Sequence, residues 1–325
     1  MLKFPENAAR EGFFCSMRPS ILRSITGTIF TLILFGLASA SFSQTAQSPE
    51  DGARYAAELQ RLMPLALKGD AVSQNNLGNL YATGHGVPKD ELQALAWYRK
   101  AADQGLAIAQ SNVGAVYLYG LGVPQDYAQA LVWLRKAANQ GDASGEVNLG
   151  IMYNDGDGVT QDYAQALFWY TKSADQGNSA GENGLGTLYN FGHGVPQDYT
   201  QALVWFRKAA EQGNLDAQNN LGSLYFTAKG VPQDYTQAVA WFRKAADHGY
   251  ANAQEALGYM YFSGNGVTQD YVQAYMWQTL GMASYRASDS AKRDAASKHR
   301  DQIAAKMTPE QIAEAQQLAK DWVSK

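Results

Sequence analysis

Residues 75–105 read NNLGNLYATGHGVPKDELQALAWYRKAADQG, and residues 111–141 read SNVGAVYLYGLGVPQDYAQALVWLRKAANQG. The second stretch is the first displaced by 36 positions, and further copies follow at the same step. Trp97, Trp133, Trp169, Trp205, Trp241 and Trp277 keep it without an insertion. So do Gly78, Gly114, Gly150, Gly186, Gly222 and Gly258, and Tyr81, Tyr117, Tyr153, Tyr189, Tyr225 and Tyr261. A fixed period of this size marks a stacked-repeat architecture. Such an array is one quasi-one-dimensional domain whatever its length, so 325 residues do not imply two globular domains.

Within one unit, Ala109, Val113, Val116 and Tyr117 fall at helical spacing and predict a first helix over about Ala107–Tyr119. Gly114 lies inside it, where glycine costs about 1 kcal/mol against alanine. Its return in all six units points to a close approach of the paired helix. The loop Gly120-Leu121-Gly122-Val123-Pro124-Gln125 follows, with glycines that permit positive φ. Asp126 then reads as an N-cap with Gln129 three positions on, the spacing of a capping box. Asp90, Asp162, Asp198, Asp234 and Asp270 repeat it, so this carboxylate column is one of caps rather than of metal ligands. In the second helix Tyr127, Ala130, Leu131, Leu134, Ala137 and Ala138 make a wide apolar arc, with Trp133 on its flank. Arg135-Lys136 suit the negative end of the helix dipole. Gly141 reads as a left-handed C′ residue.

The ends differ from the array. Arg18 and Arg23 precede the apolar run Ile25–Leu37, which closes in Ala38-Ser39-Ala40. That order marks residues 1–40 as a secretory signal peptide cleaved after Ala40, with Met17 a plausible start of translation. The run is short for a spanning helix, which needs about 20 apolar residues. Residues 41–52 then read as a flexible linker, 53–69 as an N-terminal capping helix, 70–277 as six repeats and 278–325 as C-terminal capping helices. In the sixth unit Gln278 and Gly281 stand where the second has Leu134 and Ala137. Ser288–Lys306 and Pro309–Val323 read as two polar-faced helices, the latter capped by Thr308. Without residues 1–40 the basic count falls from 26 to 22 and the acidic count from 30 to 28, a net charge of −6. That balance disfavours nucleic acid and anionic membrane surfaces as partners. Cys15 is the only cysteine and precedes the cleavage point, so the mature chain has no disulfide or thiol chemistry.

The glycine, tyrosine, proline, tryptophan and aspartate columns of 75–105 and its successors resemble the Sel-one-like repeats, relatives of the tetratricopeptide repeat. Two units depart, with Thr160 and Thr268 in place of the loop proline. The resemblance implies an all-α fold, a right-handed α/α superhelical solenoid of helix-loop-helix repeats, and an adaptor or scaffold role in bacterial envelope complexes and signalling. Cysteine-rich relatives linked to β-lactam binding share no cysteine with this array, and that activity does not transfer.

By analogy with tetratricopeptide stacks, the first helices line a concave face. The inward positions are then Asn75 and Asn79, Ser111 and Ala115, Val147 and Ile151, Asn183 and Thr187, Asn219 and Ser223, and Glu255 and Tyr259, with Phe191, Phe226 and Phe262 one turn further. A neutral, amide-rich groove of this kind suits an extended peptide backbone or a glycan. The neighbouring Asn76, Asn112, Asn148 and Asn220 precede the buried Leu or Val and read as structural, bonding an inter-helix backbone group. His85 and His193 share a register three units apart. No zinc-protease, nucleophile-elbow or phosphate-loop motif is present. Asp155-Gly156-Asp157-Gly158 lacks the downstream glutamate of a calcium loop.

These features point to a non-enzymatic scaffold that needs no cofactor or metal and binds protein or peptide partners in the periplasm or after secretion. A peptidoglycan- or glycan-binding envelope protein is the second reading, and a secreted host-directed effector the third. The mature protein is expected to begin near Ser41 and to carry no membrane anchor. Intact-mass measurement on fractionated cells checks this; residues 25–37 retained in a membrane pellet would reverse it.

Overall fold

The computed structural model describes residues 49–285 and 289–323. The expected signal peptide, residues 1–40, and residues 41–48 of the expected linker lie outside them. Fifteen α-helices and no strand occur among the described residues. Helix α1 (Pro49–Leu67) starts inside the stretch read as linker. Six hairpins follow: α2 (Ala71–Thr83) with α3 (Glu91–Asp103), α4 (Ala107–Tyr119) with α5 (Tyr127–Asn139), α6 (Ala143–Asp155) with α7 (Tyr163–Asp175), α8 (Ser179–Phe191) with α9 (Tyr199–Glu211), α10 (Leu215–Thr227) with α11 (Tyr235–Asp247), and α12 (Ala251–Ser263) with α13 (Tyr271–Ser284). Helices α14 (Ser290–Ala304) and α15 (Pro309–Val323) pack on α13. No helix among the described residues is long and apolar enough to cross a membrane.

From α1 to α14 each helix packs on the next in chain order. In addition α4 touches α6, and α6 touches α8, whereas successive second helices make no contact of similar extent. The first helices therefore occupy the inner side of the curve.

The interior glycine is where the helices of a hairpin meet. A Cβ on Gly150 would lie 2.5 Å from the Tyr170 ring, and one on Gly186 would lie 2.5 Å from the Phe206 ring. Gly78, Gly114, Gly222 and Gly258 stand equally close to Tyr98, Leu134, Phe242 and Gln278. The cost of glycine in a helix is offset by burying a large side chain directly on the backbone.

The caps form with one change. Asp126 Oδ1 accepts from the Gln129 N–H at 3.0 Å, and the other five aspartates do the same in their units. The reciprocal arm of the capping box is not needed, because the Asp126 N–H donates to Tyr117 O at 2.9 Å. Asp90, Asp162, Asp198, Asp234 and Asp270 donate likewise to Tyr81, Tyr153, Tyr189, Tyr225 and Tyr261. Among the described residues, both arms of a box close only at Thr308 and Gln311.

The tryptophans join neighbouring units: Trp133, for example, packs on the core shared by α3 and α4. The basic pair near the end of α3, α5, α9 and α11 has specific partners beyond the dipole. Lys100, Lys136, Lys208 and Lys244 sit 3.9–4.3 Å above Trp97, Trp133, Trp205 and Trp241. Arg99, Arg135, Arg207 and Arg243 donate to the hydroxyls of Tyr117, Tyr153, Tyr225 and Tyr261 in the following repeat. The last tryptophan, Trp277, is 1% exposed and meets Trp322 of α15 edge-on at 6.0 Å, so α15 covers the open end.

Five of the six first helices end on a left-handed glycine, but α10 ends on Ala228 with φ 58°. A non-glycine residue there costs roughly 1–2 kcal/mol. Ala228→Gly is expected to raise stability by about 1 kcal/mol, and Gly264→Ala to lower it by a similar amount. Urea denaturation of the two variants checks both signs.

Candidate functional site

The inner side is built from one face of the first helices, and neighbouring copies crowd that face more than a single repeat reveals. Asn75, Ser111 and Asn219 are 3%, 1% and 4% exposed, so they are buried between first helices instead of facing a groove. Ala115, Val147 and Ile151 are buried too. Asn79, Asn183, Thr187, Ser223, Glu255 and Tyr259 are half-buried and form the polar surface of the groove. Phe226 is buried against Tyr235 and Tyr259, while Phe191 and Phe262 are half-buried.

The asparagine column is structural, but its partners are side chains rather than backbone groups. Asn112 Nδ2 donates to Asn75 Oδ1 at 2.9 Å, and Asn220 Nδ2 donates to Asn183 Oδ1 at 3.1 Å. Asn148 Oδ1 accepts from the Tyr119 hydroxyl at 2.9 Å. The buried Tyr98 hydroxyl of α3 donates to Asn79 Oδ1 of α2. A second set of amides works where the hairpins open. Gln110 donates to Ala102 O of the preceding repeat and accepts from Gln140 of its own. Glu146 and Glu182 replace this glutamine in the third and fourth repeats and accept from Gln176 and Gln212. Burial raises both carboxyl pKa values.

One recess interrupts the inner face where the third, fourth and fifth repeats meet. Its volume is about 30 Å³, the scale of a water-sized group. Val147, Ile151, Tyr170 and Gly184 give it apolar walls, and Asn154, Asn183, Thr187, Asn214 and Asp216 supply polar groups. Asn154 is 2% exposed; its Nδ2 donates to Asp155 Oδ1, which fixes the amide orientation, and its Oδ1 is buried without a hydrogen-bond partner. Asp216 is 8% exposed and accepts from the Tyr250 hydroxyl at 2.5 Å. Burial pushes its carboxyl up to about 6, against the opposing hydrogen bond from Tyr250. Further along, burial pushes Glu255 up to about 7, with Tyr285 and Lys292 opposing. Gly281 is the close neighbour of this side chain: a Cβ there would lie 2.9 Å from Glu255 Cγ. The departures at Gln278 and Gly281 thus accommodate Glu255, whose backbone oxygen accepts from Gln278 Nε2.

The histidines are not brought together. His85 stacks on Tyr55 of α1 at 4.3 Å and His193 on Tyr163 of α7 at 4.2 Å, each on the helix that precedes its own repeat. Gly156 and Gly158 have the positive φ of every other loop, so the Asp155–Gly158 stretch is the repeat's own turn. Among the described residues no cluster of three or more His, Cys, Asp or Glu side chains could hold a metal ion. Asn154, Gly184 and Asp216 escaped sequence reading, although Gly184 and Asp216 depart from their columns. Asn76, Asn112, Asn148 and Asn220 share the register of Gly184, and Val72 and Ile108 share that of Asp216.

The fold and its grooved face define an α-helical repeat solenoid. The chain belongs to the Sel1 repeat family, whose model matches residues 71–106, 107–142, 143–178, 179–214, 215–250 and 251–277. Among solved structures it is similar to c5321, a protective antigen present in uropathogenic Escherichia coli strains that displays an SLR fold. The identity is 35% and the TM-score 0.68, over 83% of this chain and 57% of that one, so this chain spans little more than half the relative's length. It is also similar to a Sel1 repeat protein from Oxalobacter formigenes, with 31% identity and a TM-score of 0.61 over 71% of this chain and 96% of that one. No curated protein matches it. Sel1 repeat proteins are in general protein-interaction scaffolds and typically not enzymes.

The raised carboxyls set a direction for stability against pH. Asp216 and Glu255 titrate in the folded state near 6 and 7, above the usual carboxylate values near 4. The folded chain therefore binds more protons than the unfolded chain between about pH 4 and 7. Their contribution to stability is present at the acidic end of that window and is lost as pH rises through the folded values. Asp216→Asn with Glu255→Gln is expected to shrink the fall in urea midpoint between pH 5 and pH 8. Unchanged pH dependence in the double variant would contradict this.

Proposed function

We propose that this protein is an exported, non-enzymatic adaptor that holds an extended segment of a partner protein along the groove of its first helices. The observation that carries the reading is the polar inner surface of Asn79, Asn183, Thr187, Ser223 and Glu255 in a family of interaction scaffolds. Amides and hydroxyls side by side match the alternating donors and acceptors of an extended backbone. The signal-like start supports action in the periplasm or outside the cell. The relative from uropathogenic Escherichia coli is a protective antigen, which agrees with export.

Asn183 and Asn219 are poor test positions, because the first bonds a neighbouring repeat and the second is buried. Ser223 and Tyr259 are half-buried on the groove, and Val132 is 51% exposed on a second helix. Crosslinking pull-down from envelope extract is expected to recover a protein partner with the wild type and with Val132→Arg. Ser223→Arg with Tyr259→Arg is expected to lose it, with the helical circular dichroism signal kept. Equal recovery by the groove variant would move the interaction elsewhere. Retention on purified peptidoglycan without a protein partner would favour the glycan reading, in which Tyr259 and the neighbouring aromatics would face sugar rings.

A further inference from the structure

A repeat array separates what the stack requires from what it does not. Positions the stack requires return every 36 residues, and the recess between the third, fourth and fifth repeats is lined in part by residues that do not return. Val147 and Ile151 stand where other units have Asn75, Asn183 and Asn219, or Asn79, Thr187 and Ser223. Gly184 replaces the asparagine of the neighbouring column, and Asn154 occupies a column that holds Ala82, Leu118 and Phe226 elsewhere and asparagine again only at Asn190. Asp216 is buried in a register where Val72 is 55% exposed. Four departures in four registers, Val147, Ile151, Gly184 and Asp216, converge with Asn154 on one small space.

Three polar groups in that space present oxygen acceptors. Asn154 Oδ1 is buried and unpartnered, with its amide fixed by the bond to Asp155. Asn183 Oδ1 accepts one bond, from Asn220, and a carbonyl oxygen can take two. Asp216 gives one oxygen to Tyr250, and no lysine or arginine among the described residues forms an ion pair with it. A buried carboxylate is most stable beside a compensating positive charge.

We propose that this recess is a binding site for a primary ammonium group, carried by a lysine side chain or by the free N-terminus of the bound peptide. Three N–H donors meet the three acceptors on Asp216, Asn154 and Asn183. Val147 and Ile151 receive the adjoining methylene. A space of about 30 Å³ admits the ammonium head but not the planar guanidinium of arginine, which has four heavy atoms. The site deepens the groove reading and rests on it for its biological occupant, yet its chemistry is testable without any partner protein.

The test titrates the purified chain, labelled with ¹⁵N-asparagine, with n-butylammonium chloride at pH 8 and constant ionic strength. Burial lifts the Asp216 carboxyl to about 6, so it is ionised there. The expected result is a saturable shift of the Asn154 and Asn183 side-chain signals. n-Butylguanidinium is expected to bind at least tenfold more weakly. Nα-acetyl-lysinamide and leucinamide then distinguish a side-chain ammonium from a chain terminus. Asp216→Asn is expected to abolish the shift with an unchanged circular dichroism spectrum. Should that variant unfold, Thr187→Met at the rim gives the same expectation by steric block. Absence of a saturable shift, equal binding of butylguanidinium, or equal binding by a folded Asp216→Asn overturns the proposal. A protein partner recovered in the pull-down despite any of these would leave the adaptor reading standing and remove only the ammonium site.

Discussion

Every hairpin in this chain depends on one contact, the seating of a second-helix side chain on the bare backbone of a first-helix glycine. Tyr98, Leu134, Tyr170, Phe206, Phe242 and Gln278 occupy that seat in turn. Their sizes differ, and the glycine tolerates all of them, because the constraint lies in the missing Cβ and not in the identity of the partner. With the two helices that close, the loop between them has a fixed span. The Asp N–H can then reach back to the tyrosine carbonyl at the end of the first helix. Insertion of a residue would break that bond and the cap together, which accounts for a period without slippage.

Joining of hairpins uses a different set of forces. Trp, Arg–Tyr and amide pairs recur between units, and each spans the boundary from one repeat to its neighbour. Nearest-neighbour bonding of this kind is what makes a solenoid quasi-one-dimensional. It also consumes polar residues that would otherwise be available to a ligand. A column of asparagines on an inner face can therefore be mortar.

Much of the fold was legible because it resides in period and punctuation: helices, glycine seats, aspartate caps and left-handed C′ glycines are all local or repeat at fixed distance. The site was less legible. Asn75, Ser111 and Asn219 occupy positions that one isolated repeat would turn to solvent, but all three are buried in the stack: Asn75 is bonded by Asn112 of α4, and α4, which carries Ser111, approaches α6. The partner of each amide is a copy of the same helix, which no single-repeat pattern represents. Asp216 shares a register with the exposed Val72; its burial goes with Tyr250, which stands where Asp70 and Asn214 stand in other units. The signal that could have found it was the break in the column, not the column.

The boundary between the third and fourth repeats lacks all three polar ties found at others. Thr171 stands in place of the arginine, Glu182 has no N–H to give to the preceding helix, and Gly184 has no side chain to offer an asparagine. What remains is ring contact and close packing: His193 stacks on Tyr163, and Cβ atoms on Gly181 and Gly184 would lie 2.8 Å and 2.7 Å from Ser173 and Tyr170. Hydrogen bonds fix direction, whereas here the missing Cβ atoms fix distance. A methyl group added at Gly181 or Gly184 is therefore a wedge: it has nowhere to go unless α8 parts from α7, and it strains the array at that one plane while leaving the hairpins on either side as they are.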